Sequence, residues 1–108
     1  MRKNYSRDEI YPYLIQSLHS SKSAEDFFCR HLDDDRLLAV LLDVALTDER
    51  DDARMEASFW VSRFAADLLE PIKEKLQRLS QDGWDSVARH AGAALEKIAA
   101  IETYQTAL

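Results

Sequence analysis

The apolar residues of this chain recur at intervals of three and four, and nowhere do they alternate over a length that would make a strand. Ile10, Leu14 and Leu18 share one helical stripe, and Phe27, Phe28 and Leu32 line up on a second. Leu37, Leu38, Leu41, Leu42, Ala45 and Leu46 cover an arc wide enough to be buried on more than one side. Further along, Ala57, Trp60, Val61, Phe64 and Leu68 form another stripe. Ile72, Leu76 and Leu79 make the next, and Val87, Ala91, Ala94, Leu95, Ile98 and Ile101 the last. Only two glycines occur, which leaves little material for hairpin turns or phosphate-cradling loops. The Asp82-Gly83 pair is flanked by helical patterns, not by β-branched runs. An all-α fold class follows.

Boundary signals predict six helices, over about 8–20, 23–32, 35–47, 51–69, 71–80 and 84–104. They pair into hairpins spanning about 8–32, 35–69 and 71–104 of a single domain, 1–108. Ser6 and Glu9 have the spacing of a capping box, but Pro12 favours a start nearer Asp8, so that the proline falls in the first turn. Ser21 or Ser23 opens the second helix, one of Asp33, Asp34 and Asp35 caps the third, and Asp51 or Asp52 starts the fourth. Pro71 restarts the chain at a first helical position.

The later helices resemble one another. A shift of 34 positions places Leu38, Leu42, Asp48, Ala53, Ala57, Val61 and Phe64 on Ile72, Leu76, Asp82, Val87, Ala91, Leu95 and Ile98. Apolar falls on apolar, and a turn aspartate on a turn aspartate. The residues in this pattern resemble HEAT or HEAT-like repeats, in which a leucine-rich first helix and an aspartate turn precede a second helix opening V-R-x-x-A. Here that opening reads Ala53-Arg54-x-x-Ala57 in one unit and Val87-Ala88-Arg89 in the other, with the arginine displaced by one place. The resemblance covers about residues 35–100 and implies a short α-solenoid of antiparallel helix pairs. A compact helical bundle is the alternative arrangement.

Charge narrows the partners. The net charge is −6, and all of it sits in residues 33–56, where nine acids face Arg36, Arg50 and Arg54. Such a field repels phosphate backbones and anionic lipid and attracts basic surfaces, so neither nucleic acid nor membrane is expected as a direct partner. No apolar run approaches the roughly 18–20 residues of a membrane span. The N-terminus has no apolar stretch of the signal-peptide kind. The single cysteine, Cys29, forms no internal disulfide and fits a reducing compartment, so the cytoplasm is expected.

Catalytic patterns are missing. Cys29 and His31 are two apart on one helix and point about 200° apart. Cys29, beside Phe27 and Phe28, is expected in the core, whereas His19 and His90 are expected at a helix end and on the surface. No HExxH or CxxC occurs. Read as a calcium loop from Asp48, the sixth position is Ala53 where glycine is required, and the twelfth is Phe59 where glutamate is required. No enzyme activity, metal or cofactor is expected.

What remains is surface. Trp60 belongs to the core stripe, while Phe59 joins Met55 on a second face that suits a partner if no helix covers it. Trp84, just after the turn glycine, is placed equally well in core or interface. Tyr5, Tyr11 and Tyr13 are expected to cap one end of the stack. Capping accounts for about half of the acids between residues 33 and 56. The expected partner surface is therefore Asp33, Asp34, Asp35, Asp48, Glu49, Asp51, Asp52 and Glu56 with Met55, Phe59 and Trp84. Its partner would be a basic protein. Size, acidity and lack of chemistry are similar to the functional class of immunity proteins and antitoxins that cover a toxin nuclease. A HEAT-like scaffold or adaptor is the alternative.

Overall fold

A computed structural model of the protein describes residues 5–107, with side chains as far as Thr103. Seven α-helices follow one another: α1 (Arg7–Leu18), α2 (Lys22–Arg30), α3 (Asp35–Thr47), α4 (Asp51–Ser62), α5 (Ala66–Leu69), α6 (Lys73–Leu79) and α7 (Asp85–Ala107). Among the described residues there is no strand, so the chain is all-α. The helices pair as α1 with α2, α3 with α4, and α6 with α7. α4 lies at the centre, packed on α1, α3 and α7.

Buried alanines explain why α4 is central. Ala53 and Ala57 are fully buried and let neighbouring backbones approach closely. Around them Phe28, Leu37, Leu41, Val61, Phe64, Leu76, Val87, Ala91 and Ile98 close one continuous core. Trp60 stacks on Phe28 with ring centroids 4.8 Å apart, and its indole N–H is satisfied by Ser17 Oγ at 3.0 Å. A buried indole without an acceptor would destabilise the core, and Ser17 removes that cost. The predicted stripes supply the core, with Phe27, Leu32, Leu46, Leu68, Ile72 and Leu95 partly buried against it, while Ile101 runs off the end of the last and is exposed.

Four local expectations are corrected. α1 begins at Arg7, because Ser6 Oγ accepts the Glu9 amide at 3.2 Å. That start leaves Pro12 in the second turn, where it removes the amide that would bond the Asp8 carbonyl. The single helix expected over 51–69 is interrupted after Ser62. Lys97 reaches across from α7 and donates to the Ser62 carbonyl at 2.6 Å and the Phe64 carbonyl at 2.9 Å, taking acceptors that a continuous helix would have used. The chain turns there, and α5 packs against α7. Pro71 does not open α6 but sits in a short 3-10 turn, Glu70–Ile72, before it. Cys29, expected in the core, is exposed: α2 buries Ala24 and Phe28, and Cys29 lies about 100° round from Phe28.

The end of α1 carries the only non-glycine residue with positive φ among those described, Ser20 at 64°. Ser20 donates to the Ser17 carbonyl and Ser21 to the Gln16 carbonyl, both at 2.9 Å, which is the paired bonding of a Schellman turn. Glycine normally occupies that position because an L side chain crowds its own carbonyl there. Replacing Ser20→Gly is expected to raise stability by roughly 1 kcal/mol in urea unfolding, and Ser20→Val to lower it by a similar amount.

Candidate functional site

The α3–α4 turn is built on one carboxylate. Asp48 ends α3, and its Oδ1 accepts the Arg50 amide at 2.9 Å and the Arg50 Nε–H at 2.8 Å. Its Oδ2 accepts from Arg50 Nη2 at 2.8 Å, with Arg7 Nη1 3.6 Å away. These contacts, Arg50's above all, hold the Asp48 carboxyl down at about 2, against 3.8 for an ordinary aspartate. The Arg50 guanidinium lies over the Tyr11 ring, 3.7 Å from its centroid. Tyr11 therefore braces this turn, while Tyr5 and Tyr13 pack with Phe27 at the start of the fold. Arg7 also bonds the Asp43 carboxylate at 2.7 Å and Thr47 Oγ1, fastening α1 to the end of α3. Asp48, the leading candidate for a partner contact, is only 8% exposed and belongs to the turn itself.

The α6–α7 turn repeats this construction 34 residues later. Asp82 Oδ1 accepts the Trp84 amide at 2.9 Å, the same two-residue reach that joins Asp48 to Arg50. Its Oδ2 is paired with Arg54 of α4. Burial works against ionisation at Asp82, but the Trp84 amide and the Arg54 guanidinium outweigh it and hold the carboxyl below its usual value. Arg54 also donates through Nε to the Ala45 carbonyl at 2.9 Å. One side chain thus links α3, α4 and the second turn, and it sets the two turns edge to edge.

The remaining predicted residues divide. Glu49, Asp51 and Asp52 are exposed, and among the described residues no lysine or arginine lies within ion-pair distance of them. Neither Asp51 nor Asp52 caps α4: the N-cap is Arg50, and Asp51 and Asp52 form the first turn, where negative charge favours the helix dipole. On the neighbouring turn Trp84 is 37% exposed, beside Asp85, which pairs with exposed Arg89. Asp33, Asp34 and Asp35 lie at the opposite end of α3, about 20 Å away by helix rise, so the two acid runs do not form one patch. Asp34 is the N-cap, accepting the Arg36 amide at 2.9 Å, and Asp33 and Asp35 are exposed. Glu56 faces inward and accepts from Ser17 Oγ at 2.5 Å and Trp60 Nε1 at 3.2 Å. Met55 is half-buried, and Phe59 is 36% exposed.

His90 also differs from its expected surface position. It is half-buried between α4 and α7, with Nδ1 2.9 Å from Ser58 Oγ and its ring edge-on to Phe59. Burial first, and Arg89 second, push its imidazole below the usual value, which favours the neutral ring near pH 7. Ser58 is 1% exposed and donates to the Met55 carbonyl at 2.8 Å, so this serine–histidine pair joins two helices and presents no accessible nucleophile. Sequence reasoning missed it because the two residues lie 32 positions apart. Among the described residues no three His, Cys, Asp or Glu side chains are grouped to hold a metal, and no helix is long and apolar enough to cross a membrane. No family model matches the chain, and neither the curated proteins nor the solved structures contain a significant match to it. The fold is therefore that of an all-α protein whose site is defined by its own geometry.

The turn makes a pH-dependent contribution to stability. The Asp48 carboxyl has a lower pKa folded than unfolded, so its stabilisation is present above about 3.8 and is lost as pH falls through about 2. Asp48→Ala is expected to cost about 2 kcal/mol at pH 7 in denaturant unfolding. Asp48→Asn is expected to flatten the stability–pH curve between those values.

Proposed function

We propose that the protein is a small acidic binding domain that recognises a basic protein partner through its turn edge. The most specific form of this reading is an immunity protein or antitoxin, active in the cytoplasm, that covers the cationic site of a toxin such as a nuclease. The observation that carries it is the division of the acids. Asp43, Asp48 and Asp82 are neutralised by arginines of the chain, whereas Glu49, Asp51 and Asp52 stand exposed and without an ion pair, and Trp84 is exposed on the turn that Arg54 ties to α4. Three carboxylates that the fold does not compensate project a local negative field, which speeds encounter with a basic surface. The exposed indole on the neighbouring turn offers an apolar and cation-binding contact that slows dissociation. The partner's cationic groups would occupy the positions that phosphate otherwise takes. The function is binding, with no catalytic step.

The second reading, a HEAT-like scaffold or adaptor, draws support from the matching aspartate turns at Asp48 and Asp82 and from the packing of α4 on α7. It is distinguished by a molar mass that rises with concentration in light scattering and by no protection against a toxin.

Charge reversal of Glu49, Asp51 and Asp52 to lysine tests the first reading while leaving Asp48 in place. The helical circular dichroism signal is expected to persist. Affinity for a basic protein encoded beside this chain is expected to fall by at least about tenfold at low salt, with a flattened salt dependence. Unchanged affinity in the triple variant would remove the turn edge from the interface.

A further inference from the structure

α7 closes the last helix pair, and one of its faces is left uncovered by the described residues. His90 and Lys97 mark the side that meets α4, through Ser58 and through the carbonyls of Ser62 and Phe64. Glu102 marks the side that meets α6, through Lys73. The arc left over carries Arg89, Gly92, Ala93, Glu96, Ala99 and Ala100. Gly92 is half-buried and the other five are exposed. The outer helix of a stack ordinarily shows a polar face to water, whereas four of these six positions are glycine or alanine. The 34-residue shift gives this arc a counterpart. α4 meets the next helix pair through Arg54, Ser58 and the Ser62 carbonyl, and the shift carries those positions to Ala88, Gly92 and Glu96. The face that receives a helix in one unit is the face left open in the next.

A glycine inside a helix destabilises it relative to alanine. Nothing in the described chain requires one at Gly92: beyond its own helix, no atom lies within 4 Å of where a Cβ would stand. The missing Cβ does allow a second backbone to approach closely. Charge selects which one. Arg89 and Glu96 are the charged groups of the arc, two helical turns apart, with Gly92 and Ala93 midway between them. Arg89 lies 3.3 Å from Asp85, but both side chains are largely exposed, and such a pair contributes little. Glu96 makes no ion pair among the described residues. We propose that this face of α7 binds a second copy of the chain, the two helices crossing antiparallel about a twofold axis at Gly92 and Ala93. Each Arg89 then meets the other copy's Glu96, and the contact closes at two copies because both present the same surface. This rests on the scaffold reading, in which the helix pairs are stacking units, and names the surface through which one copy meets another.

The test is light scattering of the full chain across about 10–1,000 µM, the range suited to a contact made by one helix face. Molar mass is expected to rise toward twice that of the single chain. Arg89→Glu and Glu96→Arg each set like charges opposite one another and are expected to weaken dimerisation by at least about tenfold. Mixed in equal amounts, the two variants are expected to recover a dimer, because each copy then meets its opposite charge. Gly92→Leu fills the crossing point and is expected to abolish the rise in mass with the helical circular dichroism kept. A mass constant at that of the single chain would overturn this contact together with the scaffold reading. A rise that persists unchanged in Gly92→Leu and in both charge variants would overturn the α7 contact and leave that reading standing. Growth beyond two copies, or a mixture that does not recover, would overturn the twofold pairing.

Discussion

Arg54 holds the arrangement on which the rest of the structure depends. Its Nε–H satisfies the Ala45 carbonyl near the end of α3, and its Nη2 pairs with Asp82 in the next turn. A lysine could not make both contacts, because they need donors fixed in a planar fork. Below this link, Ala53 and Ala57 let α4 settle against its neighbours, and Phe28 and Trp60 stack to complete the core. Helix pairs that share one apolar interface must also agree in height, and Arg54 fixes that register through the backbone of one pair and the turn of the next.

The same economy explains the acid-rich turn. Asp48 accepts from its own turn amide and from the Arg50 side chain, so a buried carboxylate is fully compensated within three residues. Arg7 and Tyr11 then tie α1 to that turn. The arginine in the middle of an acidic run is thus internal, and it leaves its neighbours uncompensated. Glu49, Asp51 and Asp52 are left without an ion pair because Arg50 and Arg7 are committed to Asp48 and Arg54 to Asp82. Their prominence on the surface follows from how the turn is folded.

Helical class, the apolar stripes and the repeated spacing were legible in the sequence because they depend on local periodicity, which survives without knowledge of the partners. Trp60 in the core and a cap among Asp33, Asp34 and Asp35 were legible for the same reason. The break after Ser62 was not, because Lys97, which binds the carbonyls at that break, lies 35 positions away. Nor was the inward turn of Glu56, which answers to Ser17 on another helix. Cys29 was misplaced because an apolar neighbourhood in sequence is not a shared helix face. The candidate site was legible as a region of charge but not residue by residue.

By itself, the sequence determined that this chain is all-α, where its main apolar faces lie, and that its net charge is concentrated in less than a quarter of its length. Those properties arise from the rotation of each residue about a helix axis and from the simple sum of side-chain charges. Only the tertiary structure decided which acids are free. Whether a carboxylate is compensated depends on guanidinium groups brought to it by packing, such as Arg7 to Asp48 and Arg54 to Asp82. It likewise decided that Arg36 Nη1 would be enclosed without an acceptor, since burial of a single nitrogen depends on every element around it.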